Sequence, residues 1–246
     1  MEKNSPKEAP DFISLGPGNG KKDRIILKSL KKAIQNFTNE NIYYYPLDVS
    51  NKMLAQAIKT IRCEKDIEKG LLIKAVIGDF YDLPDFKELF DNRLNYNLFS
   101  FLGNTLGNVE NERTLLNRIK KGMDEVDSLL LEVRLAPESE VELSIGGNKQ
   151  VRNRFYYEPI ARAYGIPSSK PKVFYEEHTN LSVINKTRTL VGFCRESIQG
   201  KEKLQKLTYI HHYDKKEFVS FLRDDMKFKI IESFTNDEII YFLLKK

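Results

Sequence analysis

Phe12-Ile13-Ser14-Leu15-Gly16-Pro17-Gly18-Asn19-Gly20-Lys21-Lys22-Asp23-Arg24 decides how the rest of the 246-residue chain is read. Three apolar residues in four run into three glycines at alternate positions, and Ile25 to Phe37 follows with apolar residues at helical spacing. The pattern predicts strand, tight turn, helix. Glycine tolerates positive φ and carries no Cβ, so a ligand can approach the backbone of such a turn closely. The helix behind it aims its unpaired N–H groups at the same point. An adenosine-bearing cofactor is the natural guest. The spacing Gly16-x-Gly18-x-Gly20, with lysine at 21, matches neither the dinucleotide fingerprint G-x-G-x-x-G nor the phosphate loop G-x-x-x-x-G-K-[ST].

Downstream the same theme repeats. Ile42 to Asp48 reads as a second strand ending in an acid, and Ser50 as the N-cap of a helix through Met53, Leu54, Ala57, Ile58 and Ile61. Leu71 to Ile77 reads as a third strand, followed by Gly78-Asp79-Phe80. Asn97 to Leu102 is a fourth, running into Gly103-Asn104-Thr105-Leu106-Gly107-Asn108, and a helix over Glu110–Lys121 leads to a fifth strand at Ser128–Val133. Strands alternating with helices predict an α/β fold, a parallel sheet covered on both faces. Ligands of such sheets bind beyond the carboxyl ends of the strands, where these clusters fall.

After Arg134 the rhythm changes. Residues 135–206 read as a β-rich insertion on the substrate side, with a short helix at Asn153–Tyr164, a hairpin turn at Asn185-Lys186 and a further strand from Leu204 to Tyr213. Asp214 then caps a helix through Met226, and the strands Phe228–Phe234 and Glu238–Leu244 turn at Thr235-Asn236-Asp237. Two parts are predicted: a cofactor-binding core of residues 11–134 and 207–246, and an inserted subdomain of residues 135–206.

Forty basic residues face 35 acidic ones, mostly interleaved, for a net charge of +5. That lacks the concentrated basic face of a nucleic-acid binder, so no such partner is predicted. No apolar run approaches the roughly 18 residues of a membrane helix. Met1 to Pro10 is polar rather than signal-like. Cys63 and Cys194 lie far apart without metal spacing, so buried, reduced thiols in a cytoplasmic protein are predicted. His211 and His212 are adjacent on a strand, which points them to opposite faces and argues against a shared metal; either remains a candidate base for an amine.

Asp48 can accept both hydrogen bonds of a ribose diol. Asp79 can accept the adenine amino proton while Phe80 packs on the base. Asn104 and Asn108 offer donor and acceptor together, which suits the charged ends of an amino acid or an amine. Each also has a plain structural reading, as a turn acid, a core ring or an asparagine-rich turn.

Leu15-Gly16-Pro17-Gly18-Asn19-Gly20-Lys21-Lys22, Tyr45-Pro46-Leu47-Asp48-Val49-Ser50, Gly78-Asp79-Phe80 and Phe101-Leu102-Gly103-Asn104-Thr105-Leu106-Gly107-Asn108 occur in that order with fitting gaps. Together they resemble the histidine-specific, S-adenosylmethionine-dependent methyltransferase family over about residues 12–134. The resemblance implies a class I methyltransferase (Rossmann-like) fold, a seven-stranded sheet with its last strand antiparallel. It implies that Gly16, Gly18 and Lys22 meet the methionine end of S-adenosylmethionine, with Gly20 in the same loop, Asp48 its ribose, and Asp79 with Phe80 its adenine. Asn108 falls where the family holds the substrate's amino-acid group. Two features depart from the family pattern. Only about ten residues precede the first strand, where the family carries a helical portion, which predicts an open side covered by a partner chain or by self-association. The stretch Leu207-Thr208-Tyr209-Ile210-His211-His212-Tyr213 lacks the acid and serine of the family's amino-acid binder. These departures take histidine itself out of the expectation, and the acceptor expected is a small-molecule amine such as an amino acid or derivative; the alternatives are a non-catalytic methyltransferase-like subunit that needs a partner chain, or an RNA- or protein-directed methyltransferase with a site open to a larger substrate.

Overall fold

The computed structural model describes residues 10–34, 41–68, 70–90, 96–137, 172–179, 181–198, 201–236 and 238–246. Its centre is β1 (Asp11–Leu15), buried along its whole length. β2 (Ile42–Asp48) and β5 (Asn97–Phe101) pair with it in parallel, one on each side. β3 (Leu71–Ile73) and β4 (Val76–Ile77) both pair with β2, and β6 (Ser128–Arg134) continues the sheet beyond β5. β11 (Ile239–Lys245) runs antiparallel between β6 and the edge strand β10 (Lys229–Thr235). Eight strand segments thus occupy seven positions, in the order β10-β11-β6-β5-β1-β2 and then β3 with β4. This is the topology the resemblance implies, with β11 as the antiparallel strand.

The third strand is not continuous as read from sequence. It breaks at Lys74-Ala75, where Lys74 holds its ammonium over the rings of Tyr43 and Tyr45, 4.8 and 5.5 Å from their centroids. That leaves two short strands in place of one run.

Alternation along the strands divides the core in two. Phe12, Tyr44 and Ile42 face α1 (Lys21–Ile34) and α2 (Asn51–Arg62), where Leu27 and Ile61 meet them. Ile13, Leu15, Phe99, Leu131 and Phe242 face the other way, against Leu115, Leu116 and Ile119 of α5 (Glu112–Gly122) and Phe218 of α6 (Lys215–Ser220). Between α2 and α5 lie two one-turn helices, α3 (Lys65–Glu68) and α4 (Lys87–Phe90). The predicted caps are present: Ser50 Oγ accepts from Met53 N at 3.3 Å and Asp214 Oδ1 from Glu217 N at 3.0 Å. After α6 the helix does not run on in α form to Met226 but widens into a π turn, Phe221–Asp225.

β7 (Lys172–His178), β8 (Arg188–Ile198) and β9 (Lys201–His212) form a separate antiparallel sheet. β8 and β9 pair as far as Arg188 with His212. Tyr209, His211 and Tyr213 line one face of this strand, their rings 5.8 and 6.0 Å apart in sequence order. That face docks on the loop after β5. The sequence-predicted helix at Asn153–Tyr164 lies outside the described residues. Cys63 is exposed at the end of α2, a correction to the buried thiol predicted. Among the described residues no helix is long and apolar enough to cross a membrane.

Candidate functional site

Three backbone hydrogen bonds gather the first three clusters. Gly16 N donates to Leu47 O at 2.8 Å, and Gly78 N to Asp48 O at 3.2 Å, so the glycine turn and the Asp79 turn are both tied to the end of β2. Gly20 N closes the turn onto Pro17 O at 3.0 Å. Gly16, Gly18 and Gly20 have φ of +71°, +56° and +73°, all in the left-handed region. Their surroundings differ. A Cβ on Gly16 or Gly18 would meet nothing within 4 Å, whereas one on Gly20 would lie 2.8 Å from the Ala57 carbonyl oxygen. The first two glycines present open backbone; the third lets α1 approach α2.

Asp48 and Asp79 are built alike. Each is half-buried, and in each Oδ1 accepts the backbone N–H two residues on, from Ser50 at 2.8 Å and from Tyr81 at 2.9 Å. Their Oδ2 atoms have no hydrogen-bond partner among the described residues. Asp48 lies directly across from Ile77 in the β2–β4 ladder. Ile77 is 63% exposed and neighbouring Val49 66%, so bare apolar surface lies beside both acids. Sequence reading missed Val49 and Ile77, because an exposed aliphatic looks like a core residue until its surroundings are known. The Phe80 ring stands edge-on to Phe101 at 5.3 Å, half in the core.

Lys21 and Lys22 open α1 at the positive end of its dipole, an arrangement that favours a nearby anion. Lys22 Nζ pairs with Glu132, whose side chain on β6 is 5% exposed. Burial and the Glu132 charge together push the Tyr241 hydroxyl up, with burial the larger cause.

The fourth cluster lies across β1 from Asp48. Asn104 and Asn108 are not equivalent. The Asn104 amide packs against Gly107, within 2.6 Å of where a Cβ would stand, and its Oδ1 is buried without a donor among the described residues. Asn108 ends a short 3-10 turn, Leu106–Asn108, with its side chain exposed. From β9, the Tyr213 hydroxyl reaches Leu106 O at 3.3 Å and His211 Nε2 reaches Val109 O at 3.0 Å. Both converge on Glu112, which is fully buried: its Oε1 accepts from Ser182 Oγ at 2.6 Å and from Tyr213 at 3.2 Å. Oε2 has no donor among the described residues. In sequence Glu112 looks like an ordinary first-turn acid, and nothing local marks it.

The His211 contacts fix its tautomer. A carbonyl only accepts, so Nε2 carries the proton toward Val109, and Nδ1 accepts from Thr189 Oγ1 at 2.7 Å. Burial holds its pKa below the usual histidine value, with the Glu112 charge opposing. No lone pair is left for a base, which removes His211 from that role. His212 is held down to about 4, by burial first and then by Arg134. Among the described residues no three His, Cys, Asp or Glu side chains converge as a metal would need.

Residues 2–161 match the family model described as histidine-specific, SAM-dependent methyltransferase. The chain belongs to that family. Among solved structures it is similar to the CcbJ methyltransferase from Streptomyces caelestis, with a TM-score of 0.50 at 10% identity over 96% of this chain and 83% of that one. It also matches the glycopeptide N-methyltransferase MtfA complexed with S-adenosyl-L-methionine, with a TM-score of 0.49 at 12% identity over 96% and 81%. No curated protein sequence matches the chain. The family uses S-adenosylmethionine, and the open faces of Gly16 and Gly18 with the free Oδ2 atoms of Asp48 and Asp79 fit that molecule.

Proposed function

We propose that this S-adenosylmethionine-dependent methyltransferase methylates the nitrogen of a small-molecule amine, such as an amino acid or derivative. The reading is carried by four chemically distinct clusters gathered at the carboxyl ends of β1, β2, β4 and β5. Gly16, Gly18 and Lys22 form the methionine end of the cofactor pocket, with Gly20 holding the loop against α2, Asp48 takes the ribose diol, and Asp79 with Phe80 takes the adenine. Val49 and Ile77 cover the base. Asn108 orients the acceptor, and Asn104 shapes the loop that carries it. The bound cofactor supplies an activated methyl group; the protein holds the amine in line and excludes water.

The core comprises residues 11–134 and 207–246 with residues 135–206 inserted, and the β8–β9 pairing supports moving the return to the core to Tyr213. The exposed thiol of Cys63 suits a reducing cytoplasm. Ile25 on α1, and Ile231 and Phe234 on the edge strand β10, are 63%, 45% and 61% exposed, apolar surface that self-association or a partner chain would cover.

Titration calorimetry with S-adenosylhomocysteine, with NAD as control, tests the pocket: micromolar binding of the former alone is expected, and binding of NAD instead overturns it. Asp48→Ala is expected to weaken S-adenosylhomocysteine binding by about 1.5–3 kcal/mol, the range for hydrogen bonds to a charged group. Unchanged affinity removes Asp48 from the site.

A further inference from the structure

We propose that Glu112 reads the acceptor's positive charge, its free oxygen Oε2 taking an N–H of the protonated amine and then the proton itself. The inference rests on the reading of the protein as an amine methyltransferase and names the group that meets the amine.

A fully buried carboxylate normally has both oxygens satisfied. Among the described residues Glu112 has one: Oε1 draws Ser182 and Tyr213, while Oε2 is buried without a donor. Asn104 Oδ1 is a second buried oxygen without a donor, on the loop that Tyr213 ties to Glu112 through Leu106 O. Both oxygens call for donors, and an ammonium carries three N–H groups. The nearby Glu110 is engaged elsewhere, since Tyr209 donates to its Oε1 at 3.0 Å and Lys206 lies 3.7 Å from it. Tyr81 follows directly on the Asp79-Phe80 turn. Its hydroxyl is pushed up by burial first and then by the charges of Asp79, Glu112 and Glu110, so the field of Glu112 extends to the cofactor side.

Methyl transfer needs a nitrogen lone pair, which an ammonium lacks. When Oε2 takes the proton, the N–H bond breaks and its electron pair stays on nitrogen. That pair then forms the bond to the methyl carbon of the sulfonium, and the carbon–sulfur pair goes to sulfur. Glu112 returns its proton to water as product leaves. The Ser182 and Tyr213 hydrogen bonds fix the carboxylate plane, and His211, held neutral, does not compete as a cation.

The test compares the wild-type protein with Glu112→Gln, which keeps the side-chain shape and an oxygen for Ser182 and Tyr213 but carries no charge. Binding to the S-adenosylhomocysteine complex is measured by calorimetry for the proteinogenic amino acids and their decarboxylated amines. Each is paired with the hydroxy compound of the same skeleton, and methylation of the amines is followed in parallel. The wild type is expected to bind its preferred amine about tenfold or more tighter than the paired alcohol, a ratio typical of one charge-assisted hydrogen bond. Glu112→Gln is expected to lose that preference and at least about 100-fold in kcat/KM, while S-adenosylhomocysteine affinity stays within about twofold. Retained amine preference in a folded Glu112→Gln overturns the assignment and leaves amine methylation standing. If the variant does not fold, the wild-type ratio decides: alcohol bound as well as amine overturns the proposal. A wild type that binds and methylates none of the amines overturns the functional reading and this inference together.

Discussion

Asn108→Ala is expected to lower kcat/KM for the acceptor by about 100-fold or more, the scale on which misplacing a reactant costs rate. The same substitution should leave S-adenosylhomocysteine affinity and melting temperature nearly unchanged. The expectation follows from where the side chain is. Asn108 ends the turn after β5 with its side chain exposed, so truncation opens no buried cavity. Its backbone N–H bonds to Thr105 O at 3.1 Å, which alanine preserves. Asn104→Ala should behave differently, because that amide packs on Gly107 and its loss frees the turn to move. Steady-state kinetics, calorimetry and thermal unfolding on the two variants separate orientation from scaffolding. If Asn108→Ala melts well below the wild type, the residue is structural and the acceptor site lies elsewhere.

Gly20→Ala is expected to be the most destabilising of the glycine-loop substitutions, at about 2–5 kcal/mol. Left-handed backbone at φ +73° costs a residue with a Cβ about 1–2 kcal/mol. The added methyl would lie 2.8 Å from the Ala57 carbonyl oxygen and 2.9 Å from its Cα, a backbone clash of the kind that costs about 1–3 kcal/mol. For a chain of this size the melting temperature should fall by roughly 10 °C. Gly16→Ala bears the strain without the clash, so it should melt closer to the wild type. Its methyl enters the open space offered to the cofactor, and it should lose S-adenosylhomocysteine binding. Equal melting shifts for the two variants would contradict the division of roles within the loop.

What sequence exposes here is what lies close along the chain. The strand–glycine–helix unit, the acids closing β2 and β4, and the caps at Ser50 and Asp214 are each set by one short continuous stretch of sequence. The parallel sheet followed from the βα alternation, and its seven strands with the last antiparallel from the resemblance. The partners of the lysine and acid in the site did not. Lys22 meets Glu132 across 110 positions, and Glu112 meets Ser182 and Tyr213 across 70 and 101. No spacing rule operates over such separations, since only the folded topology brings those residues together. The break in the third strand was hidden for another reason. Leu71 to Ile77 has the composition of one strand, and the interruption falls at Lys74, whose ammonium lies over two tyrosines of β2 that sequence spacing does not bring to it.

The place of β11 in the sheet sets the order in which the protein can finish folding on the ribosome. β6 pairs with β11 along its outer edge, and β10 has β11 as its partner in the sheet. Synthesis at about 5–20 residues per second puts roughly 5–20 s between the emergence of β6 and that of β11. Throughout that interval the apolar edge Leu129-Leu130-Leu131 has its backbone groups unpaired, an open template for strands of other chains. The strand that seals the outer edge of β6 is made about a hundred residues after it, and a nascent chain stalled between the two would be sticky in a way the folded enzyme is not.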